Sequence, residues 1–238
     1  MSAALQLASR AQRGQSVRQS STLSMGLPAG RRTMAGRVRW YAVASEEGRE
    51  DAQAARLLKL IPHDVLHDAF VLRREKWEKH AGAWITVNKP IYRGYLFVAS
   101  PDAVALNDAL ARLSFPVRVA GSQGRGYLPL DPAAQAWFAA AMDGRHTIRS
   151  STAVVVDGAV RVLEGPLTGQ EERICHVDRR RRACTVRIGH ADSAFEESMP
   201  LDIPFKGTGE EYAAWCTASP VPVSSSVRGP GERCADCV

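Results

Sequence analysis

One region in the second half of the chain constrains the fold more than any other. Apolar residues alternate with polar ones at Val160 and Val162, and again at Cys184, Val186 and Ile188, which is the period of half-buried β-strands. Between the two runs, the glycines and the proline within 165–169 provide a tight connection. The sequence therefore predicts a small β-barrel here, with four consecutive arginines at positions 179–182 at the tip of a hairpin.

Charge is distributed unevenly along the chain. Lysine and arginine number 31 against 25 aspartates and glutamates, a formal net charge of +6, and no acidic residue precedes Glu46. This excess permits nucleic-acid binding without demonstrating it. Residues 1–37 are rich in arginine and serine, and we interpret them as a disordered or misassigned extension. The alternative for this segment is an organelle transit peptide, which has a similar composition.

Residues 38–142 carry a mixed pattern of helices and strands. Strands are predicted at 39–44, 69–72, 84–87 and 95–99, and helices at 49–60, 102–113 and 132–142. Pro62 ends the first helix because proline cannot continue the hydrogen-bond ladder, while Asp131 and Pro132 have the residue types that open a helix. Too few strand–helix–strand units are present for a three-layer parallel fold, so the pattern favours the α+β class.

Two further segments have the composition of chain without a fixed structure. Residues 143–152, with one glycine and two serines, suit a flexible linker, and residues 207–238 are rich in proline, glycine and serine, as in a disordered tail. Cys234 and Cys237 form a single Cys-x-x-Cys, and a zinc site would need two more ligands at matching spacing. Cys175 and Cys184 are interpreted as buried thiols in adjacent strands.

No motif in the sequence points to catalysis. The chain lacks a His-Glu-x-x-His metal motif, a Gly-x-Ser-x-Gly nucleophile turn and a phosphate-binding loop, and the glycines of 121–126 are in the wrong order for a dinucleotide fingerprint. His63 and His67 stand four residues apart beside two aspartates, but no third metal ligand follows. We therefore predict a protein that is not an enzyme, with no catalytic residues, no metal and no cofactor. It has no run of about 20 apolar residues, so no membrane-spanning helix is expected.

Motifs in two parts of the chain are informative because of their order. The first part has Trp40-Tyr41 opening a strand, an acidic helix start at 46–50, and the run Tyr92-Arg93-Gly94-Tyr95-Leu96-Phe97-Val98. The second has a strand leading into Gly165-Pro166-Leu167-Thr168-Gly169, followed by the arginine-rich hairpin. In this order they resemble the N-terminal (NGN) domain and the KOW motif of the NusG family. Together with Gly82-Ala83-Trp84, the second part is most similar to the specialised paralogues, the LoaP-like antiterminators.

The resemblance implies a two-domain α+β protein. Residues 38–142 would form the NGN domain, an antiparallel sheet flanked by helices, and residues 153–206 an SH3-like KOW β-barrel, joined by the linker at 143–152. The implied function is that of a cytoplasmic transcription elongation or antitermination factor, which docks on the clamp region of RNA polymerase and suppresses termination in a specific operon. The residues implied to face polymerase are Tyr41, Tyr92, Gly94, Tyr95 and Phe97, although each aromatic side chain has a place in the core as its alternative.

The KOW region is where RNA and protein partners are expected. We predict that a hairpin in the nascent RNA contacts seven arginines, and exposed DNA is the alternative recruiting element. The seven are Arg161, Arg173, Arg179, Arg180, Arg181, Arg182 and Arg187. Leu167 is the candidate contact for a protein partner such as a ribosomal protein or a termination factor, with the barrel core as its alternative. Two alternatives stay open: a solvated hairpin tip for the arginine run, and a ribosome- or RNA-associated KOW protein without polymerase contact.

Overall fold

The computed structural model describes residues 37–115, 118–119, 129–190 and 193–218. Within these ranges the chain has the mixed α+β class predicted from its sequence. The strands are β1 (Arg39–Ala44), β2 (Asp68–Phe70), β3 (Arg73–His80), β4 (Ala83–Pro90), β5 (Tyr95–Ser100), β6 (Arg118–Val119), β7 (Thr147–Ile148), β8 (Ser151–Val156), β9 (Ala159–Glu164), β10 (Ile174–Asp178), β11 (Ala183–Ile188) and β12 (Phe195–Gly207). The helices are α1 (Glu50–Leu60), α2 (Ala103–Ala111), α3 (Pro132–Ala141) and α4 (Gly209–Ala218), with a 3-10 turn at Glu171–Arg173.

The first sheet is antiparallel, in the order β2-β5-β1-β6. On one face, Leu96 and Val98 of β5 pack with the apolar sides of α1 and α2 in what we call the helix-side core. On the other face, Tyr95 and Phe97 belong to a second and larger core. This alternation along β5 is the one that its sequence predicts. Asp131 opens α3 as predicted, because its side chain accepts hydrogen bonds from two backbone N–H groups of the first turn.

A charged hairpin extends from this first sheet. Strands β3 and β4 pair antiparallel, and the short β7 lies parallel to β3 on its other side. The turn that joins β3 to β4, Ala81-Gly82, has positive φ at both residues (48° and 87°), which is the conformation that two-residue hairpins favour. Strand β3 contains one apolar residue, Trp77, so its sequence gives no alternating signal. It is a strand because β4 and β7 pair with it, one on each side.

The predicted barrel region is a five-stranded sheet, which we call the C-terminal sheet, in the order β10-β11-β12-β8-β9. Strand β12 is long enough to pair antiparallel with β11 along its first half and parallel with β8 along its second. After β9, Gly165 adopts a φ of +100°, and a Cβ at this position would lie 2.7 Å from the Cα of Ser151. Glycine is therefore required here by both backbone conformation and space.

The segment predicted to be a linker, residues 143–152, is part of the fold. Thr147 and Ile148 are buried and form β7, and Ser151 begins β8. The guanidinium of Arg149 holds the segment in place, since its Nε lies 2.8 Å from Asp143 and its Nη1 3.0 Å from Glu75 of β3. The expectation of a flexible tether is thus wrong for these residues, because short strand pairing and ion pairs fix them to β3.

One hydrophobic core joins the two predicted domains. It contains Phe97 and Trp137 from the N-terminal part together with Val186 and Leu201 from the C-terminal sheet, and we call it the shared core. The ring centroids of Phe138 on α3 and Phe195 on β12 lie 6.4 Å apart. The described parts of the two regions therefore pack as neighbours rather than as separate globules.

The region predicted as a disordered tail begins with a helix. α4 occupies Gly209–Ala218 and packs through Tyr212 and Trp215 against the ring of Phe205, with centroid distances of 5.4 Å to each. The remainder of the predicted tail and nearly all of the predicted N-terminal extension lie outside the described residues. Of the helices that are described, none has the length and apolar character that crossing a membrane requires.

Candidate nucleic-acid and protein interface

Three of the aromatic residues expected to face polymerase are core residues. Tyr41 is 4% exposed and belongs to the helix-side core, whereas Tyr92 (4%) and Phe97 (1%) belong to the shared core, with ring centroids 5.9 Å apart. Burial raises the pKa of Tyr92 well above its ordinary value, and the nearby carboxylate of Glu197 raises it further. Side chains this deeply buried do not form a surface in the present arrangement.

Gly94 and Tyr95 occupy the start of β5, at the edge of that core. Gly94 has a φ of +73°, and its N–H donates to Oε1 of Glu50 at 2.8 Å. The other oxygen of Glu50 accepts from the N–H of Gly48, also at 2.8 Å, so this buried carboxylate ties the loop before α1 to the loop before β5. Gly94 therefore shapes the backbone, and Tyr95 is the one predicted aromatic that is only half-buried.

The C-terminal sheet covers the Tyr92 side of the first sheet. Arg74 of β3 places its Nη1 2.8 Å from Oε1 of Glu197 on β12, and the same nitrogen donates to the backbone carbonyl of Ser198. At the opposite end, the indole N–H of Trp137 donates to Oε1 of Gln170 at 2.5 Å. The motifs gave no signal for these contacts, because each joins residues that are distant in sequence and unremarkable by themselves.

The arginine run lies where its sequence predicts, between the paired strands β10 and β11. Arg179, Arg180 and Arg181 are exposed. Among the described residues, Arg179 and Arg180 form no ion pair, while Nε of Arg181 lies 3.6 Å from the carboxylate of Asp178. The tip therefore presents two unpaired guanidinium groups and a third that is only weakly paired at the surface.

Arg182 differs from its three neighbours because its guanidinium contacts other side chains of the same chain. Its guanidinium carbon lies 4.8 Å from the ring centroid of Trp77 and 5.1 Å from that of Trp84, both on the β3–β4 hairpin. Its Nη1 lies 3.1 Å from Asp202 of β12. Stacking on aromatic rings and pairing with a carboxylate both stabilise the Arg182 guanidinium in this position against the hairpin. Arg182 is thus a contact between the hairpin and the C-terminal sheet, and it is not free for RNA as expected.

The flanking arginines do not continue the tip as a single patch. Arg161 is exposed on β9, and Arg187 is exposed on β11 with its Nη2 3.7 Å from Glu196. Arg187 lies four residues beyond the start of β11, which corresponds to roughly 13 Å along the strand. Arg173 belongs to the 3-10 turn and donates to the backbone carbonyl of Arg187 at 3.4 Å.

Leu167, the candidate for a protein contact, is a core residue. It is 1% exposed, belongs to the shared core, and its N–H donates to Oγ of Ser151 at 3.1 Å. The expectation of a surface contact is therefore wrong, and the core alternative holds. The physical reason is the close approach of the turn to β8 at Gly165, which folds the leucine beneath the turn.

The described cysteines and histidines form no metal site. Cys184 is buried, and its burial raises the thiol pKa to about 12, whereas Cys175 is exposed rather than buried as expected. The rings of His63 and His67 stack with their centroids 5.2 Å apart. In the described part of the chain, no three His, Cys, Asp or Glu side chains are grouped as metal ligands would be. Cys234, Cys237 and the 121–126 loop lie outside the described residues.

Comparison with known proteins gives little further information. No family model matches the chain, and no curated protein matches it. Among solved structures, it is similar to one described as "Domain interaction in Thermotoga maritima NusG", at 14% identity over 69% of this chain and 94% of that chain, with a TM-score of 0.40. A likeness of this size establishes neither a family nor a function.

Proposed function

We propose that this chain is a NusG-type transcription elongation factor. Its N-terminal part docks on the clamp region of RNA polymerase, and its C-terminal sheet contacts a hairpin in the nascent transcript, which suppresses termination in a particular operon. The observation that carries the proposal is the exposed tip formed by Arg179, Arg180 and Arg181, in a chain whose first half has the Tyr-Arg-Gly-Tyr run of the resemblance leading into β5.

The exposed tip is suited to phosphate. A guanidinium offers a planar set of donors that matches phosphate oxygens, and an unpaired one has no internal ion pair to give up on binding. Two unpaired arginines and a third that is weakly paired, all at one hairpin tip, can span neighbouring phosphates, so double-stranded RNA would be recognised by its shape and charge. Sequence preference would come from other contacts, because phosphate contacts carry little sequence information.

Docking on polymerase through the Tyr92 side requires the C-terminal sheet to move away. Tyr92 and Phe97 lie in the shared core, and the Arg74–Glu197 ion pair connects the two sides. Tyr95 alone keeps part of its surface in the arrangement described. The proposed factor therefore has a covered state, and weakening the contact at Glu197 is expected to favour polymerase binding.

A second function is favoured by the burial of the predicted docking residues. A ribosome- or RNA-associated protein without polymerase contact would keep Tyr41, Tyr92 and Phe97 permanently in its cores, as they are here. It would use the same arginine tip for RNA. The two functions differ only in whether polymerase is bound.

Retention of core RNA polymerase by the immobilised full chain separates these functions. Glu197→Ala removes the ion pair with Arg74 and should increase retention, while Glu196→Ala, at the neighbouring and more exposed carboxylate, should leave it unchanged. Adding Tyr95→Ala to Glu197→Ala should reverse the gain. If polymerase is retained by neither the unmodified chain nor Glu197→Ala while RNA still binds both, the second function is correct.

A further inference from the structure

The C-terminal sheet is open between its two edge strands. In the order β10-β11-β12-β8-β9, strands β9 and β10 each have a hydrogen-bonded neighbour on one side only. Residues of both strands line one open cavity of about 320 Å³, which we call the seam groove. It is lined by Val160 of β9 and residues 174–177 of β10, and its rim carries Arg179 and Lys206.

Aliphatic side chains form the floor of the seam groove, whose lining is otherwise polar. Val160, Ile174 and Val177 are partly buried and pack against the shared core, so apolar surface of that core reaches solvent here. No Phe, Tyr or Trp side chain is among the residues lining the groove, and its one ring is the imidazole of His176. Single-stranded nucleic acid is held mainly by stacking on aromatic rings, whereas aliphatic side chains of a peptide need only an apolar floor. The lining therefore favours a peptide.

Backbone groups of β9 face the groove. The N–H of Val162 donates to Oε1 of Glu171 at 3.1 Å, so this N–H points away from β8 toward the free edge. Successive residues of a strand direct their N–H groups to opposite edges, so the N–H of Val160 points the same way as that of Val162. Glu171 thus occupies the edge of β9 at Val162 and leaves it open at Val160, where the groove lies. An unpaired edge of this kind is the usual site for adding a strand.

The charge of the rim indicates what such a strand would carry. Arg179 and Lys206 are exposed, and among the described residues neither is ion-paired. On the opposite wall, the β10–β11 pairing shifts register at Cys175, which leaves this residue bulged and exposed at the groove. The groove thus has aliphatic side chains at its floor within a largely polar lining, two unpaired cations at its rim and the edge of β9 along one side.

We propose that the seam groove binds an extended acidic segment of a partner protein. The segment adds as a short β-strand beside β9 at Val160, where Glu171 does not cap the edge. Its apolar side chains lie on the aliphatic floor and its carboxylates meet Arg179 and Lys206. This proposal goes beyond the proposed function and does not depend on it, although Arg179 belongs both to the groove and to the arginine tip proposed for RNA.

The test uses the full chain and an acetylated, fluorescein-labelled peptide of six alternating glutamate and valine residues, followed by fluorescence anisotropy. Lys206→Glu should weaken binding about tenfold, and Cys175→Trp, which fills the groove from an exposed position, should abolish it. Arg180→Glu is the matched control, since Arg180 is equally exposed but does not line the groove, and should change affinity less than twofold. The same peptide with alternate backbone amides methylated should bind at least tenfold more weakly, because it cannot pair with a strand edge.

Several results would overturn the proposal. Absence of peptide binding at millimolar concentration would do so, as would equal binding by all variants or by the methylated peptide. If oligouridine displaces the peptide from the unmodified chain, and its own binding is lost in both Lys206→Glu and Cys175→Trp, the groove is a nucleic-acid site instead. Far-UV circular dichroism of each variant separates loss of binding from loss of fold.

Discussion

The exposed arginine tip makes a quantitative prediction about salt. Replacing Arg179, Arg180 and Arg181 by alanine removes three guanidinium groups that lie outside the core, so the fold should persist. If each contacts a phosphate of a duplex, the slope of log affinity against log salt should fall by about 0.9 per contact, or about 2.7 in all. From about 50 mM to about 200 mM salt, the unmodified chain should then lose about 40-fold more affinity than the triple variant.

The assay is fluorescence anisotropy with a labelled leader RNA hairpin, titrated at four or more salt concentrations. A scrambled hairpin should show the same loss, since phosphate contacts are insensitive to sequence. Replacing the three arginines by lysine should preserve most of the salt slope, because the charge is kept.

Arg182→Ala is the internal control for this series. It removes the stacking on Trp77 and Trp84 and the ion pair with Asp202, so the free energy of unfolding should fall by about 1 to 2 kcal/mol in urea titrations. The salt slope should not change, because this guanidinium faces the protein. An unaltered affinity and slope in the folded triple variant would refute the reasoning and make the tip a solvated turn.

The surroundings of Gly165, of two cysteines and of Asp143 lead to three further predictions. Gly165→Ala should lower the free energy of unfolding by about 2 kcal/mol or more, because the position has a φ of +100° and no room for Cβ, whereas Gly144→Ala, with nothing within 4 Å, should be nearly neutral in the same urea titration. Iodoacetamide at pH 8 should label the exposed Cys175 and spare the buried Cys184, whose pKa is raised to about 12. Peptide mapping identifies the labelled cysteine, and labelling of Cys184 in preference to Cys175 would contradict this assignment. Partial burial raises the pKa of Asp143, but hydrogen bonds from two backbone N–H groups and from the Arg149 guanidinium outweigh it and hold the pKa below its ordinary value. This carboxylate therefore stabilises the fold at pH values above its unfolded pKa, and the contribution is lost as pH falls through the folded pKa. Asp143→Asn should therefore show a smaller loss of stability than the unmodified chain between pH 5 and pH 3; an identical acid profile would contradict this assignment.

Elements with a strong local pattern were predictable from the sequence. β1 has the predicted bounds, and α1 and α3 begin and end within one residue of the predicted ones. Strand β3 was missed because six of its eight residues are charged and Trp77 is its one apolar residue. It is a strand because β4 and β7 pair with it, and pairing partners are not visible in a local window.

The candidate site divides in the same way. The sequence alone determined that an arginine run lies at the tip of a hairpin, since that follows from two flanking strand patterns and a charge run between them. Only the tertiary structure decided that Arg182 is held between two tryptophans and that Leu167 is core. It also decided that Tyr92 lies beneath the C-terminal sheet beside Glu197. Periodicity reports that one face of an element is apolar, but whether that face meets a partner protein or another part of the same chain depends on long-range packing that no local pattern contains.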